Sequence, residues 1–210
     1  MNRIITVSRE FGSGGRELGK RLADALGFSY YDKEIIHAIR EKTDLNEDYI
    51  ENSLESDLTR QIYPVNFSRT FYFSPTMIEN TGFLLSQQHK VIKEIAQQGN
   101  CVIVGRGADT ILEEYKPLKI FVYASMSSKV QRTMARAPEG ESLTQKEYEK
   151  KIRQVDKARA HNYNLFSDKD WGDKYNYHLC VNTSFLEIEC MVPSVKEFAL
   201  QWFDAQCNVK

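Results

Sequence analysis

The sequence predicts an α/β fold in which a mostly parallel sheet is covered by helices on both faces. Two observations carry this reading. Short apolar runs at Ile4–Val7, Cys101–Val104 and Leu118–Tyr123 have the continuous, β-branched character of strands buried on both sides. They alternate with longer segments whose apolar residues recur at helical spacing, which is the pattern of repeated β-α units.

The first unit runs from strand Ile4–Val7 through a glycine-rich turn, Ser8 to Gly15, into a helix from about Arg16 to Leu26 with Leu18, Leu22, Ala23 and Leu26 on one face. A short strand, Phe28–Tyr31, and a helix from Lys33 bearing Ile35, Ile36 and Ile39 follow. Residues from about Thr43 to Thr81 have no single period, contain Pro64 and Pro75, and read as an insertion. A helix from about Gly82 to Gln98 turns at Gly99-Asn100 into the Cys101 strand. After the Leu118 strand come a helix at Ser127 to about Ala135, a breaker-rich link at Ala137-Pro138-Glu139-Gly140, and a charged helix from about Thr144 to Asn162. A last strand, His178–Val181, and a closing helix near Val195–Phe203 complete the chain.

Composition narrows the function classes. The chain has 210 residues, 41% of them hydrophobic and 27% charged, with a net charge of -1, so one globular domain over 1–210 is expected. That balance gives no global field for a polyanion, and no nucleic-acid partner is expected. Cys101, Cys180, Cys190 and Cys207 form no C-x-x-C pair, and the four histidines share no helical turn, so neither zinc nor a disulfide framework is indicated. The first residues are too short an apolar run for a signal peptide, and no stretch has the length of a membrane span; the expectation is a cytoplasmic protein with no membrane partner.

The strongest local signal is Ser8-Arg9-Glu10-Phe11-Gly12-Ser13-Gly14-Gly15-Arg16-Glu17, between a buried strand and a helix. Glycines there let backbone N–H groups turn inward around an anion, and the helix start adds the positive end of its dipole. Set against G-x-x-x-x-G-K-[ST], Gly14 takes the second glycine and Gly15 the place of the lysine. Arg16 is the candidate to supply the lost charge from one position later, with Arg9 as a second cation. Glu17 either binds magnesium or stabilises the helix N-terminus.

Ile5 to Glu17, Tyr30-Tyr31-Asp32-Lys33-Glu34 and Val102-Ile103-Val104-Gly105-Arg106-Gly107-Ala108-Asp109 together resemble the cytidylate kinase-like family over almost the whole chain. The resemblance implies a P-loop NTPase-type sheet, an acceptor-side insertion at about 43–81 and a helical lid at about 137–164. It implies ATP and a nucleoside monophosphate as substrates, with Mg2+. Authentic cytidylate kinases carry an Asp-Gly-Arg-Asp segment where this chain has Val104-Gly105-Arg106-Gly107. They carry R-x-x-D-x-x-R in the lid helix, here Arg153, Asp156 and Arg159.

The site residues expected on this basis fall into three groups. Gly12, Ser13, Gly14, Gly15, Arg16, Glu17, Arg132 and Arg136 are expected at the nucleotide phosphates. Arg16, Arg153 and Arg159 are expected to act in transfer, and Asp32, Arg106 and Asp156 to hold the acceptor. Each has a plainer alternative. Asp32 can be a helix N-cap, Arg106 a helix-start partner of Asp109, and the lid triplet, within about 120° of arc, a solvated salt-bridged face. Two further functions stay open on the sequence: a phosphate-binding regulatory module that has lost transfer, and a small-molecule kinase acting on an alcohol through a carboxylate base such as Asp32.

Overall fold

The computed structural model describes residues 2–43, 45–55, 75–138, 143–165 and 167–208. Its five strands are β1 (Ile4–Arg9), β2 (Ser29–Tyr31), β3 (Cys101–Val104), β4 (Leu118–Tyr123) and β5 (Leu179–Asn182), all parallel in the order β2-β3-β1-β4-β5. This is the P-loop NTPase-type sheet that the sequence predicts. The central β1 lies between β3 and β4, with Val7 opposite Val104 on one side and Ile120 on the other. The chain leaves β1 and β3 at the same carboxyl edge, where ligands collect in open parallel sheets.

The helices are α1 (Gly15–Leu26), α2 (Glu34–Thr43), α3 (Glu47–Glu55), α4 (Pro75–Gln98), α5 (Ala108–Ile111), α6 (Met126–Ala135), α7 (Gln145–Asn164) and α8 (Ile188–Asn208). Strand alternation sends Ile5, Val7, Val102 and Val104 to one face, where Leu18 and Leu22 of α1 and Val192 and Ala199 of α8 cover them. Ile4, Cys101 and Ile103 point to the other face, under Ile39, Ile50, Ile92 and Leu112 from α2 to the turn after α5. A smaller cluster of Val130, Tyr148 and Ile152 joins α6 to α7.

Three differences from the sequence reading have local causes. β1 continues two residues past Val7, because β4 runs beside it and pairs Arg9 with Val122; polar residues at a covered sheet end leave no apolar signal. The stretch expected to be irregular holds α3, whose Ile50 and Leu54, one turn apart, are buried. It also holds the start of α4, where Pro75 is the first helical residue, a position whose N–H has no helical partner in any case. Residues 56–74 lie outside the described residues. At the other end α8 begins seven residues before its expected start at Val195, since Ile188 and Val192 extend the same buried face and Pro193 removes a single backbone bond. The helix α7 is fixed at its start by a capping box between Thr144 and Glu147.

The close approach of α1 to the sheet depends on Gly19, where an added Cβ would lie 2.8 Å from Cγ2 of the buried Val104. Gly19→Ala should therefore lose up to about 2 kcal/mol in urea unfolding, the overpacking cost of about 1–3 kcal/mol less a helix-propensity gain of about 1. Val104→Ala in the same chain should recover part of that loss; strictly additive effects would show that α1 has room to move away.

Candidate active site

The phosphate loop, Glu10 to Gly14, joins the end of β1 to the start of α1. Gly12 and Gly14 take left-handed φ of 76° and 81°, which a residue with a side chain adopts only under strain, and Gly14 forms the N-cap of α1. The loop is held from beneath at two points. The Ser13 carbonyl accepts hydrogen bonds from Thr183 Oγ1 at 2.6 Å and Arg132 Nη1 at 3.4 Å, while Arg132 also donates to the Thr183 and Leu186 carbonyls. On the other side, Asp156 Oδ1 accepts the Phe11 N–H at 2.6 Å and Oδ2 pairs with Lys129 Nζ at 2.8 Å. Lys129 is buried and reaches Glu10 at 3.0 Å as well, so one ammonium links the loop, α6 and α7.

A cluster of guanidinium groups stands above the sheet edge. Arg9 ends β1 with its side chain 11% exposed, and its Nη2 lies 3.5 Å from Asp32 Oδ1. The other oxygen of Asp32 pairs with Nε of the half-exposed Arg16. Arg159 from α7 donates to the Arg9 carbonyl at 3.1 Å and stacks over Phe11. Burial, and then the charge of Arg159, pushes the Arg9 guanidinium down to about 9; Asp32 opposes this, and Arg106 and Arg16 add to it. At neutral pH it remains a cation.

Two clefts open on this cluster. One is lined by Gly12, Gly14, Arg16, Arg132, Arg136 and Lys151 above the loop. The other, toward α4, is lined by Gln88, Arg106, Asn162, Tyr163 and Trp171 with Leu54 and Leu85. Arg9 and Arg159 line both. Arg106 carries a left-handed φ of 60° between Gly105 and Gly107, and its carbonyl accepts from the buried Gln88 at 3.2 Å. A non-glycine residue there costs about 1–3 kcal/mol, a strain typical of ligand sites.

The sequence-predicted residues divide accordingly. Arg9, Arg16, Asp32, Arg106 and Arg159 are brought together at the junction of the clefts. Asp32 is a buried partner of two arginines rather than a helix cap. Asp156 lies at the loop, its two oxygens taken by Phe11 and Lys129. Arg153 is exposed on the outer side of α7, beside Lys150 and Lys157; a triplet spread over about 120° of arc turns one end to solvent when the other faces the loop. Arg132 is engaged with carbonyls, and Arg136 with Glu17.

Glu17 bears on magnesium. That ion takes octahedral oxygen ligands, one or two of them carboxylates. Arg16 stands at the hydroxyl position of the loop pattern, Glu17 is held by Arg21 and Arg136, Asp32 by two arginines and Glu10 by Lys129. With each of these carboxylates paired to a cation, the residues do not fit a protein-held magnesium ion. Burial acts to raise the Glu17 carboxyl, and the hydrogen bonds from Arg21 and Arg136 outweigh it and hold it below its ordinary value.

Sequence reasoning missed Lys129, read Asp109 only as a helix-start charge or a partner of Arg106, and gave Trp171 no role. A lone lysine in an amphipathic helix carries no signal until its two carboxylates are known to be near. Asp109 is 1% exposed, accepts from Tyr163 Oη at 2.9 Å and Ser8 Oγ at 3.5 Å, and is pushed above the ordinary carboxyl value by burial, against the pull of the Tyr163 hydrogen bond.

Two expectations follow. Lys129→Met leaves Asp156 and Glu10 facing each other without a cation and should cost about 3–5 kcal/mol in denaturant unfolding, the penalty of breaking a buried pair from one side. The Asp109 carboxyl favours the protonated form in the folded state, so its contribution to stability is complete below 3.8 and lost as pH rises through the folded value. Asp109→Asn should flatten that decline in a pH series of melting temperatures, and an unchanged slope would assign it elsewhere.

Known proteins match this architecture. The model of the cytidylate kinase-like family matches residues 4–185. Cytidylate kinase of Chlamydia trachomatis, serovars L2 and D among others, is 27% identical over 157 residues, covering 65% of this chain and 73% of the relative. An uncharacterized protein from Eubacterium ventriosum superposes with a TM-score of 0.70 at 22% identity, covering 96% of this chain and 99% of its own. Shikimate kinase from Bacteroides thetaiotaomicron gives 0.57 at 16% identity, covering 94% and 98%, and a gluconokinase from Sinorhizobium meliloti 0.55 at 12%, covering 98% and 95%. With the parallel five-stranded sheet and a glycine loop at the end of its central strand, the match over residues 4–185 shows that this chain belongs to the cytidylate kinase-like family, whose members are kinase-like phosphotransferases.

Proposed function

We propose that the protein transfers the terminal phosphoryl group of ATP to a nucleoside monophosphate. The observation that carries this reading is the pair of clefts that meet at Arg9 and Arg159. The cleft above the phosphate loop takes the donor, whose phosphates meet inward N–H groups and the start of α1. The cleft toward α4 takes the acceptor, with its phosphate at Arg106 and its base toward Gln88, Asn162 and Trp171, which offer amide hydrogen bonds and an aromatic face.

The charge of the second cleft favours a phosphate acceptor over an alcohol. An alcohol needs a base to take its proton, whereas a monophosphate is largely ionised at neutral pH, its second pKa being about 6. No carboxylate lines this cleft among the described residues, and the Asp32 carboxylate is committed to Arg9 and Arg16. In the transfer, an acceptor phosphate oxygen forms a bond to the terminal phosphorus as the bridging bond to the donor breaks, and the departing diphosphate keeps the electron pair. No protein group gains or loses an atom. The arginines offset charge on the oxygens around the transferring phosphorus. Cytidylate is the first acceptor to assay, because the curated relatives are cytidylate kinases.

Steady-state turnover of ATP with a panel of nucleoside monophosphates tests the reading. Arg106→Ala should raise the acceptor KM roughly tenfold to a hundredfold and leave the ATP KM within a factor of about two, since a charge-assisted hydrogen bond contributes about 1.5–3 kcal/mol. Turnover with polyols and none with monophosphates would establish the alcohol kinase instead. ATP binding by calorimetry with no turnover of any pair would establish the regulatory module.

A further inference from the structure

The loop pattern G-x-x-x-x-G-K-[ST], in the register that sets Gly14 at the second glycine, sets Arg9 at the first. The two ends of the loop have thus exchanged characters: a long cation stands where the pattern has glycine, and Gly15 stands where it has lysine. The geometry explains why both changes occur together. A Cβ added at Gly15 would lie 2.5 Å from Cβ and 3.1 Å from Cγ of Arg9, and 3.1 Å from Cβ of Val122. Positions 9 and 15 therefore share one volume, and only one of them can carry a side chain. A second glycine completes the channel: a Cβ at Gly105 would lie 1.6 Å from Arg9 Nη1, so the guanidinium passes over bare backbone at the end of β3.

We propose that Arg9 replaces the loop lysine as the cation on the transferred phosphoryl group, its side chain entering the same volume from the opposite end of the loop. The inference rests on the phosphotransferase reading above and adds a catalytic residue to it. The guanidinium lines both clefts, and its planar fork of donors can serve oxygens of the donor and acceptor phosphates together, where an ammonium offers a single point charge. Asp32, 3.5 Å away, fixes its direction. Arg16, at 55% exposure, is the outer partner of Asp32 and not the substitute for the lysine. Arg9 exchanges no atom in the transfer; it binds oxygens whose charge shifts as the phosphorus moves.

The test uses the full chain with inorganic tripolyphosphate as the binding probe, read by calorimetry, and ATP with cytidylate for turnover. Arg9→Met should weaken tripolyphosphate at least about tenfold, the loss of one charge-assisted contact. Gly15→Lys alone, which completes the lysine of the pattern, should lower Tm and bind no more tightly than wild type. The double variant Arg9→Gly with Gly15→Lys should regain the lost Tm and bind tripolyphosphate more tightly than Arg9→Met. Arg9→Lys keeps the buried charge, guards against a folding failure of Arg9→Met, and should lower kcat more than it raises either KM. Wild-type binding in Arg9→Met, a wild-type Tm in Gly15→Lys, or a wild-type kcat in Arg9→Lys overturns the proposal. Absence of turnover with every nucleotide pair would sink the phosphotransferase reading, while the tripolyphosphate and Tm series would still decide where the loop keeps its cation.

Discussion

The arrangement of this site depends on where one side chain goes at the end of the central strand. β1 is flanked by β3 and β4 and cannot shift without breaking two ladders, so the residue that ends it has a fixed origin. Arg9 leaves that origin into a channel floored by Gly15 and Gly105, each of which would clash with it if it bore a Cβ. Once the guanidinium is buried it needs a carboxylate, and Asp32 at the end of β2 supplies one across the width of β3. Asp32 then recruits Arg16 from the first turn of α1. Three elements and the start of the phosphate loop are positioned by this one packing constraint.

The loop itself is shaped by contacts that never face a ligand. Arg132 and Thr183 hold the Ser13 carbonyl from the β5 side, and the Lys129 ammonium couples Glu10 to Asp156, which in turn holds the Phe11 N–H. An N–H committed to a carboxylate is not available to a phosphate. The Ser13 N–H is likewise held by the Glu10 carbonyl and the Gly15 N–H by Ser13 Oγ, so the loop N–H groups left to turn toward a ligand are those of Gly12 and Gly14. The same network ties α7 to the loop, so movement of α7 away from the sheet would have to separate a buried ammonium from a carboxylate or carry α6 with it. In that respect the helix read from sequence as a lid is anchored at Asp156 and, through Tyr148 and Ile152, against α6.

The fold was legible because its signals are local. Apolar runs of four to six residues mark β1, β3 and β4, and helical spacing marks α1 and the second half of α4, since a strand buried on both faces and a helix buried on one leave different periods. The region after α2 was harder: among the described side chains of α3, Ile50 and Leu54 are the buried ones, too few to establish a period, and Pro75 serves as a helix start where it reads as a break. At the site, the glycines and Arg106, Arg159 and Asp32 were found from the motif and the family resemblance. Roles that depend on pairing across the chain were not legible: Asp156 meets Lys129 and Phe11 through tertiary contacts, and Arg153 points outward because α7 is oriented by Tyr148 and Ile152 against α6. Arg9 was visible as a cation, but its claim on the volume at position 15 required coordinates.

The cationic cluster has an energetic consequence that bears on function. Arg9, Arg16, Arg106 and Arg159 interact repulsively at Arg9, and among the described residues Asp32 is the one acidic group that opposes them there. Burying the Arg9 guanidinium among three other arginines carries a desolvation and repulsion cost that Asp32 offsets in part. Arg9 is therefore a poor choice for stability alone. The left-handed Arg106 adds a backbone cost in the same place, and it is avoidable with glycine. Two unfavourable features within one cleft, the buried guanidinium and the left-handed Arg106, fit the proposed anion site. An anion that enters between Arg9 and Arg106 relieves the repulsion in proportion to its charge, so a phosphate group carrying two negative charges is favoured over a carboxylate carrying one. In the proposed transfer, the same reasoning assigns the most highly charged species, the transferring phosphoryl group together with the acceptor phosphate, to the point where Arg9 and Arg159 border both clefts.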